Sequence, residues 1–124
     1  MRALRFVAAA AIVILGVTLL ATAGQNKFGV SDKSTLTFTT PIRVGDVLLP
    51  KGEYQVLHTM EGQDHIMVFK QLNTRKPAEA RVKCQLEPLS QRATRTQQIY
   101  VMNAANERVL RTLIFRGDTA QHQF

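Results

Sequence analysis

The chain has no tryptophan, one cysteine (Cys84) and four prolines among its 124 residues. A single cysteine excludes an internal disulfide, so the domain must hold together through its packed core alone. No cysteine or histidine pairs stand at zinc-knuckle spacing, and no glycine-rich run reads as a phosphate loop. Acidic residues are also scarce, with 9 Asp+Glu against 16 Lys+Arg and a net charge of +7. The length supports one modest core that buries roughly two-thirds of the unfolded surface. It excludes a multi-domain enzyme, a doubly wound nucleotide fold and a polytopic transporter.

Charge is missing altogether from Phe6 to Ala23. This stretch follows Met1-Arg2-Ala3-Leu4-Arg5 and closes on Ala21-Thr22-Ala23, with small residues where a signal peptidase reads. The pattern predicts a signal peptide over 1–23, a flexible lead-in over 24–33 and a single β-domain over 34–124. The rival reading is an uncleaved anchor, since the uncharged run is near the lower limit for crossing a bilayer. The small-residue exit favours cleavage, and the absence of a cysteine at the junction argues against a lipoprotein.

An exported chain, periplasmic or secreted, also changes what its basic charge means. Inside a cell it would suggest nucleic acid. Outside, it suits phospholipid head groups, acidic polysaccharide or plain solubility. The expected partner is therefore an envelope protein or anionic polymer, with no nucleic acid and no stable membrane anchor after cleavage. The oligomeric state is left open.

Period-two patterning dominates the mature chain and predicts an all-β fold, a small antiparallel sandwich or barrel of about 6–8 strands. Leu36 and Phe38 alternate with Thr35, Thr37 and Thr39. Val47-Leu48-Leu49 stops at the turn Pro50-Lys51-Gly52. Tyr54, Val56, His58 and Met60 share one face of the next strand, and His65 to Phe69 forms its partner after the turn Glu61-Gly62-Gln63-Asp64. Ala78, Ala80, Val82, Cys84 and Leu86 line one face of a further strand, opposite Glu79, Arg81, Lys83, Gln85 and Glu87. Thr96 to Met102 reads as a strand. The stretch 104–115 fits two patterns. Val109, Leu110, Leu113 and Ile114 match a helix with Glu107 and Arg111 paired on its outside, whereas a strand alternates Val109, Leu113 and Phe115. The β context favours the strand. His122 and Phe124 close the chain as a last short strand.

The run Val47-Leu48-Leu49-Pro50-Lys51-Gly52-Glu53-Tyr54, followed by His58, His65 and Phe69, resembles a group of small exported bacterial β-domains marked by Leu-Pro-x-Gly-x-Tyr between two strands. Phe115-Arg116-Gly117-Asp118 is similar to that group's closing residues. The resemblance covers most of Leu36 to Phe124. It implies an exported β-domain and, as the group has no assigned activity, carries over no catalytic residue.

The sharpest chemical pattern is His58-x-Met60 followed by His65-x-Met67. An even-length loop places Met60 opposite His65 and His58 opposite Met67, all on one side of the ribbon. Imidazole and thioether together suit monovalent copper. An odd loop would send the two His-x-Met pairs to opposite faces. The plainer alternative makes Met60 and Met67 core filler, with His58 and His65 at the rim. Cys84, between Val82 and Leu86, reads as a small buried hydrophobe. No carboxylate pair is singled out among Glu53, Glu61, Asp64, Glu79, Glu87, Glu107 and Asp118, so no enzyme is expected. Two basic clusters, Arg75, Lys76, Arg81 and Lys83, then Arg92, Arg95, Arg108, Arg111 and Arg116, are candidates for an anionic ligand or a solvated face.

The expected function is a non-catalytic exported β-domain that binds a partner or anionic envelope component. The alternative is a periplasmic copper or other metal-binding protein using His58, Met60, His65 and Met67. A small hydrolase or isomerase would need a pocket holding two perturbed carboxylates. Deletion of Met1 to Ala23 is expected to strand the protein in the cytoplasm, as read by cell fractionation; unchanged export would show that this segment is no signal.

Overall fold

The computed structural model describes residues 27–124; the signal-peptide reading and Gly24 to Asn26 lie outside them. Among the described residues there are nine strands and no helix. In chain order they are β1 (Lys33–Phe38), β2 (Ile42–Val44), β3 (Val47–Leu49), β4 (Gly52–Glu61), β5 (Asp64–Gln71), β6 (Glu79–Pro88), β7 (Gln97–Met102), β8 (Arg108–Ile114) and β9 (Ala120–Gln123). The all-β class agrees with the sequence pattern. One pairing departs from the antiparallel expectation, because β2 runs parallel to β8 over Ile42–Arg43 and Arg108–Val109.

The strands follow the order β1-β4-β5-β6-β9-β8-β2-β3, with β7 added to β8. Strand β6 joins two sheets. Its first part, Glu79 to Cys84, pairs with β5, and its second, Gln85 to Pro88, pairs with β9. A strand that changes partners along its length makes a corner, so the two sheets fold over a shared interior. Leu36, Phe38, Tyr54, Val56, Met67, Phe69, Ala80 and Cys84 from one sheet meet Ile42, Val44, Leu49, Leu110, Leu113 and Phe115 from the other.

The Leu-Pro-x-Gly-x-Tyr run has a structural explanation. Leu49 and Tyr54 are fully buried. The Tyr54 hydroxyl donates to the Pro50 carbonyl across the turn at 2.6 Å. Gly52 sits at φ +147°, and a Cβ there would lie 3.0 Å from Gln71 Nε2. The residues clamp a turn between β3 and β4, with leucine and tyrosine anchoring its two sides.

Strand β8 shows why its segment fitted both a helix and a strand. Its pairing with β7 slips by one residue, so that Thr112 faces Ile99 while Leu110 faces Tyr100, leaving Arg111 as an extra residue. Such a bulge inverts the alternation beyond it. Leu110, Leu113 and Phe115 all enter the core as a result, and the inward position is Leu110 rather than the expected Val109. The i, i+3 step between leucines is a bulge signature here. Glu107 does not pair with Arg111; it takes a two-pronged contact from Arg43, with Nε–Oε1 2.8 Å and Nη2–Oε2 2.9 Å, and is held by Asn103. Those bonds hold its carboxyl down at about 2 and tie β2 to the β7–β8 turn.

The lead-in expected to be flexible is docked over its described part. Lys33 already belongs to β1, and Val30 is fully buried. Gly29 O accepts the Thr119 amide at 2.8 Å, and Asp32 O accepts that of His58 at 2.8 Å. Gly29 has φ +79°, and a side chain there would collide with Thr119 Oγ1. Ser31 donates through its amide and hydroxyl to Asp118 Oδ1. A glycine, a serine and a buried valine are enough to strap this segment down, and none of them carries a strand pattern.

Phe38 is fully buried, with its ring 5.2 Å from Tyr54 and 6.4 Å from Phe69. Phe38→Ala is expected to destabilise the domain by ~3–5 kcal/mol in urea denaturation; a loss under ~1 kcal/mol would place this ring outside the core.

Candidate functional site

The β4–β5 hairpin takes the even register. Glu61 pairs with Asp64, leaving a two-residue loop. Gly62 occupies its first position at φ +60°, where a type II′ turn needs it. Met60 therefore faces His65 and His58 faces Met67. The four residues share one side of the ribbon but not one environment. Met67 is buried in the core cluster, His58 is buried, and His65 is half-buried. Met60 stands outside, 40% exposed. Core filler describes Met67 and does not describe Met60.

His58 gathers different neighbours. Its Nε2 lies 3.1 Å from His65 Nδ1, a hydrogen bond in which either ring can donate according to tautomer. Across the interior, His122 of β9 brings its ring centroid to 5.7 Å from that of His58. His122 Nδ1 lies 3.7 Å from Cys84 Sγ. In a flat sheet β4 and β9 would be three strand spacings apart, about 14 Å. The corner at β6 closes that gap. One donor atom from each of His58, Cys84 and His122 falls within 4.8 Å of the others, and all three residues are buried. Thus Cys84 is a buried small side chain, as its strand face suggested, and also has a histidine partner. His122 carried no site signal in the sequence, because only the β6–β9 pairing of Leu86 with His122 brings it inside.

Burial sets the charge states. Desolvation, with help from the charges of His58 and His65, pushes His122 down to about 4. His58 is lowered by burial and by His65, with Asp32 opposing. Cys84 is pushed up to about 11 by desolvation. At neutral pH the metal-free cluster therefore holds neutral imidazoles and a protonated thiol. The thiol is no nucleophile in that state, and His122 is a poor base for it. His122 Nε2 is buried and has no hydrogen-bond partner among the described residues. An unsatisfied ring nitrogen at such a place costs stability.

Access comes from two clefts. One, of about 370 Å³, is lined by Asp64, His65, Lys83, Cys84, Gln85 and residues of the C-terminus. The other, of about 410 Å³, is lined by Phe28, His65, Leu86 and Thr119 among others. His65 borders both. Phe28 of the strap stands edge-on to His65 at 4.8 Å and to His58 at 6.1 Å, so it covers the histidine pair from one side. The basic clusters are partly neutralised: Arg81 pairs with Glu61, and Lys83 with Asp64 at 3.3 Å. Searches of protein families, curated proteins and solved structures found no match to the chain.

Beneath the strap, Asp118 is fully buried and desolvation raises it to about 6, against the Ser31 bonds and Arg92. This produces two opposed pH effects in the metal-free domain. His122 titrates near 6.5 unfolded and about 4 folded, so its contribution is present above 6.5 and is lost as pH falls toward 4, by about 3 kcal/mol in all. Asp118 titrates near 3.8 unfolded and about 6 folded, so its ionisation destabilises as pH rises through the same window. Asp118→Asn removes the second effect. Its melting temperature is expected to fall more steeply than that of wild type between pH 6 and 4; parallel curves would show that Asp118 is not held protonated.

Proposed function

We propose that this domain binds a soft or borderline metal ion at His58, Cys84 and His122. The observation that carries the reading is the buried donor triad within 4.8 Å, drawn from three strands. A tetrahedral or trigonal ion with bonds of about 2.0–2.3 Å sets its donors roughly 3.3–3.8 Å apart. The Cys84–His122 pair already fits this at 3.7 Å. The remaining contraction is on the order of 1 Å, within reach of side-chain rotation. Neutral imidazoles present lone pairs without prior deprotonation. The thiol, raised to about 11, gives up its proton when the ion arrives, so affinity rises with pH. Two nitrogens and a sulfur suit zinc or copper over calcium or magnesium, which take oxygen ligands. The site therefore differs from a His-x-Met set confined to one hairpin, sharing only His58 with it as an inner donor.

The reading keeps an exported β-domain as the carrier, in line with the N-terminal pattern and the resemblance of the turn motif. Partner binding is the second reading. It draws support from β7, which among the described strands pairs only with β8 and displays Ile99, Val101 and Met102 at 42–55% exposure. Such an edge accepts a further strand.

Native mass spectrometry of the full-length product after incubation with zinc(II) or, anaerobically, copper(I) should show one ion per chain. His122→Ala and Cys84→Ala should each weaken binding by at least about tenfold. Wild-type protein that takes up neither ion would sink the metal reading and leave the β7 edge.

A further inference from the structure

The triad is buried, so an incoming ion must pass a side chain that solvent reaches. Met60 and His65 are placed for that. They are directly opposed in the β4–β5 register, which puts their Cβ atoms about 4.5–5.5 Å apart. Met60 is 40% exposed at the end of its strand, an unusual setting for a thioether on the inward-facing side of a hairpin. His65 borders both clefts, and its Nδ1 lies 3.1 Å from His58 Nε2. His65 also pairs directly with Cys84 across β5 and β6. The donors thus form a graded series from exposed thioether, through a half-buried imidazole, to the buried imidazoles and thiol.

Resting on the metal reading above, we infer that Met60 and His65 are the loading ligands for monovalent copper, passing it inward to His58, Cys84 and His122. Thioether sulfur binds copper(I) well and zinc(II) poorly, which makes Met60 selective for the soft ion. In the step, copper(I) bound by the Met60 sulfur and a His65 nitrogen exchanges those bonds for the inner donors. The His58–His65 hydrogen bond opens, the Cys84 S–H gives its proton to solvent, and a copper–sulfur bond forms. No electron is transferred; copper stays monovalent and one proton is released per ion. Loss of the ion runs the same steps backwards. Of the two clefts that His65 borders, the one beside Asp64 and Lys83 is also lined by Cys84 and so leads to the inner donors, while Phe28, edge-on to both histidines, lines the other.

The test is the rate of copper(I) transfer from a bicinchoninate complex to the full chain under anaerobic conditions, followed by loss of the complex's colour. Met60→Leu is at the surface and should fold as wild type does, which circular dichroism checks. It is expected to slow loading by roughly tenfold with final occupancy unchanged, while zinc(II) loading keeps its wild-type rate. His65→Gln should slow both ions. Wild-type loading by Met60→Leu, or equal slowing of zinc(II), would overturn the loading role and leave the inner site standing. If wild-type protein takes no copper, or if His122→Ala holds it as tightly, the inner site itself is overturned along with the route.

Discussion

The arrangement depends on one strand serving two sheets. Strand β6 gives its first part to β5 and its second to β9, and the corner this makes turns the second sheet over the first. Without it, His58 and His122 would be separated by the width of three strands. With it, their rings stand 5.7 Å apart, and Cys84, in the stretch where β6 exchanges partners, completes the triad. Two smaller devices serve the same geometry. The bulge at Arg111 brings Leu113 into the core, and Leu113 is the residue that pairs with His122. The Arg111 carbonyl receives the Phe124 amide at 2.9 Å, which continues the β8–β9 ladder and holds Phe124 beside the site.

The electrostatics of the interior are unusual for so small a core. Two histidines, a thiol and a carboxyl are buried, and each is shifted toward its neutral form. Every such group costs desolvation energy that leucine or valine would not. Asp118 recovers part of that cost through Ser31 and so fastens the strap; His122 recovers little, since among the described residues Nε2 has no partner and Nδ1 meets a weakly interacting sulfur. A core that keeps an unsatisfied imidazole beside a thiol is less stable than a hydrocarbon one of the same volume. The metal ion we propose would offset part of the difference by replacing the weak sulfur contact at His122 Nδ1.

What the sequence revealed of this fold followed the range of each interaction. The β4–β5 hairpin could be read because its alternation and turn signal are local, while its register stayed open between an even and an odd loop and is settled by the two-residue loop led by Gly62. The apolar face of β6 could be read for the same local reason. The segment around Leu110 could not be assigned cleanly, since a bulge imitates helical spacing and forms only against a partner strand. The docking of residues 27–32 was hidden as well, because its bonds reach Asp118 and Thr119 from the far end of the chain.

Alternation and turn chemistry determined that the chain is all-β and left the 58–67 hairpin two registers, in only one of which His58, Met60, His65 and Met67 share a side. Period two acts between neighbours in sequence and needs no tertiary context. Tertiary structure alone decided which of those four residues are buried, and that Cys84 and His122 come to lie beside His58. That choice rests on pairing β6 with β9 and closing the corner, contacts between residues 38 positions apart. No local pattern encodes such a contact, because its energy comes from the whole core closing at once.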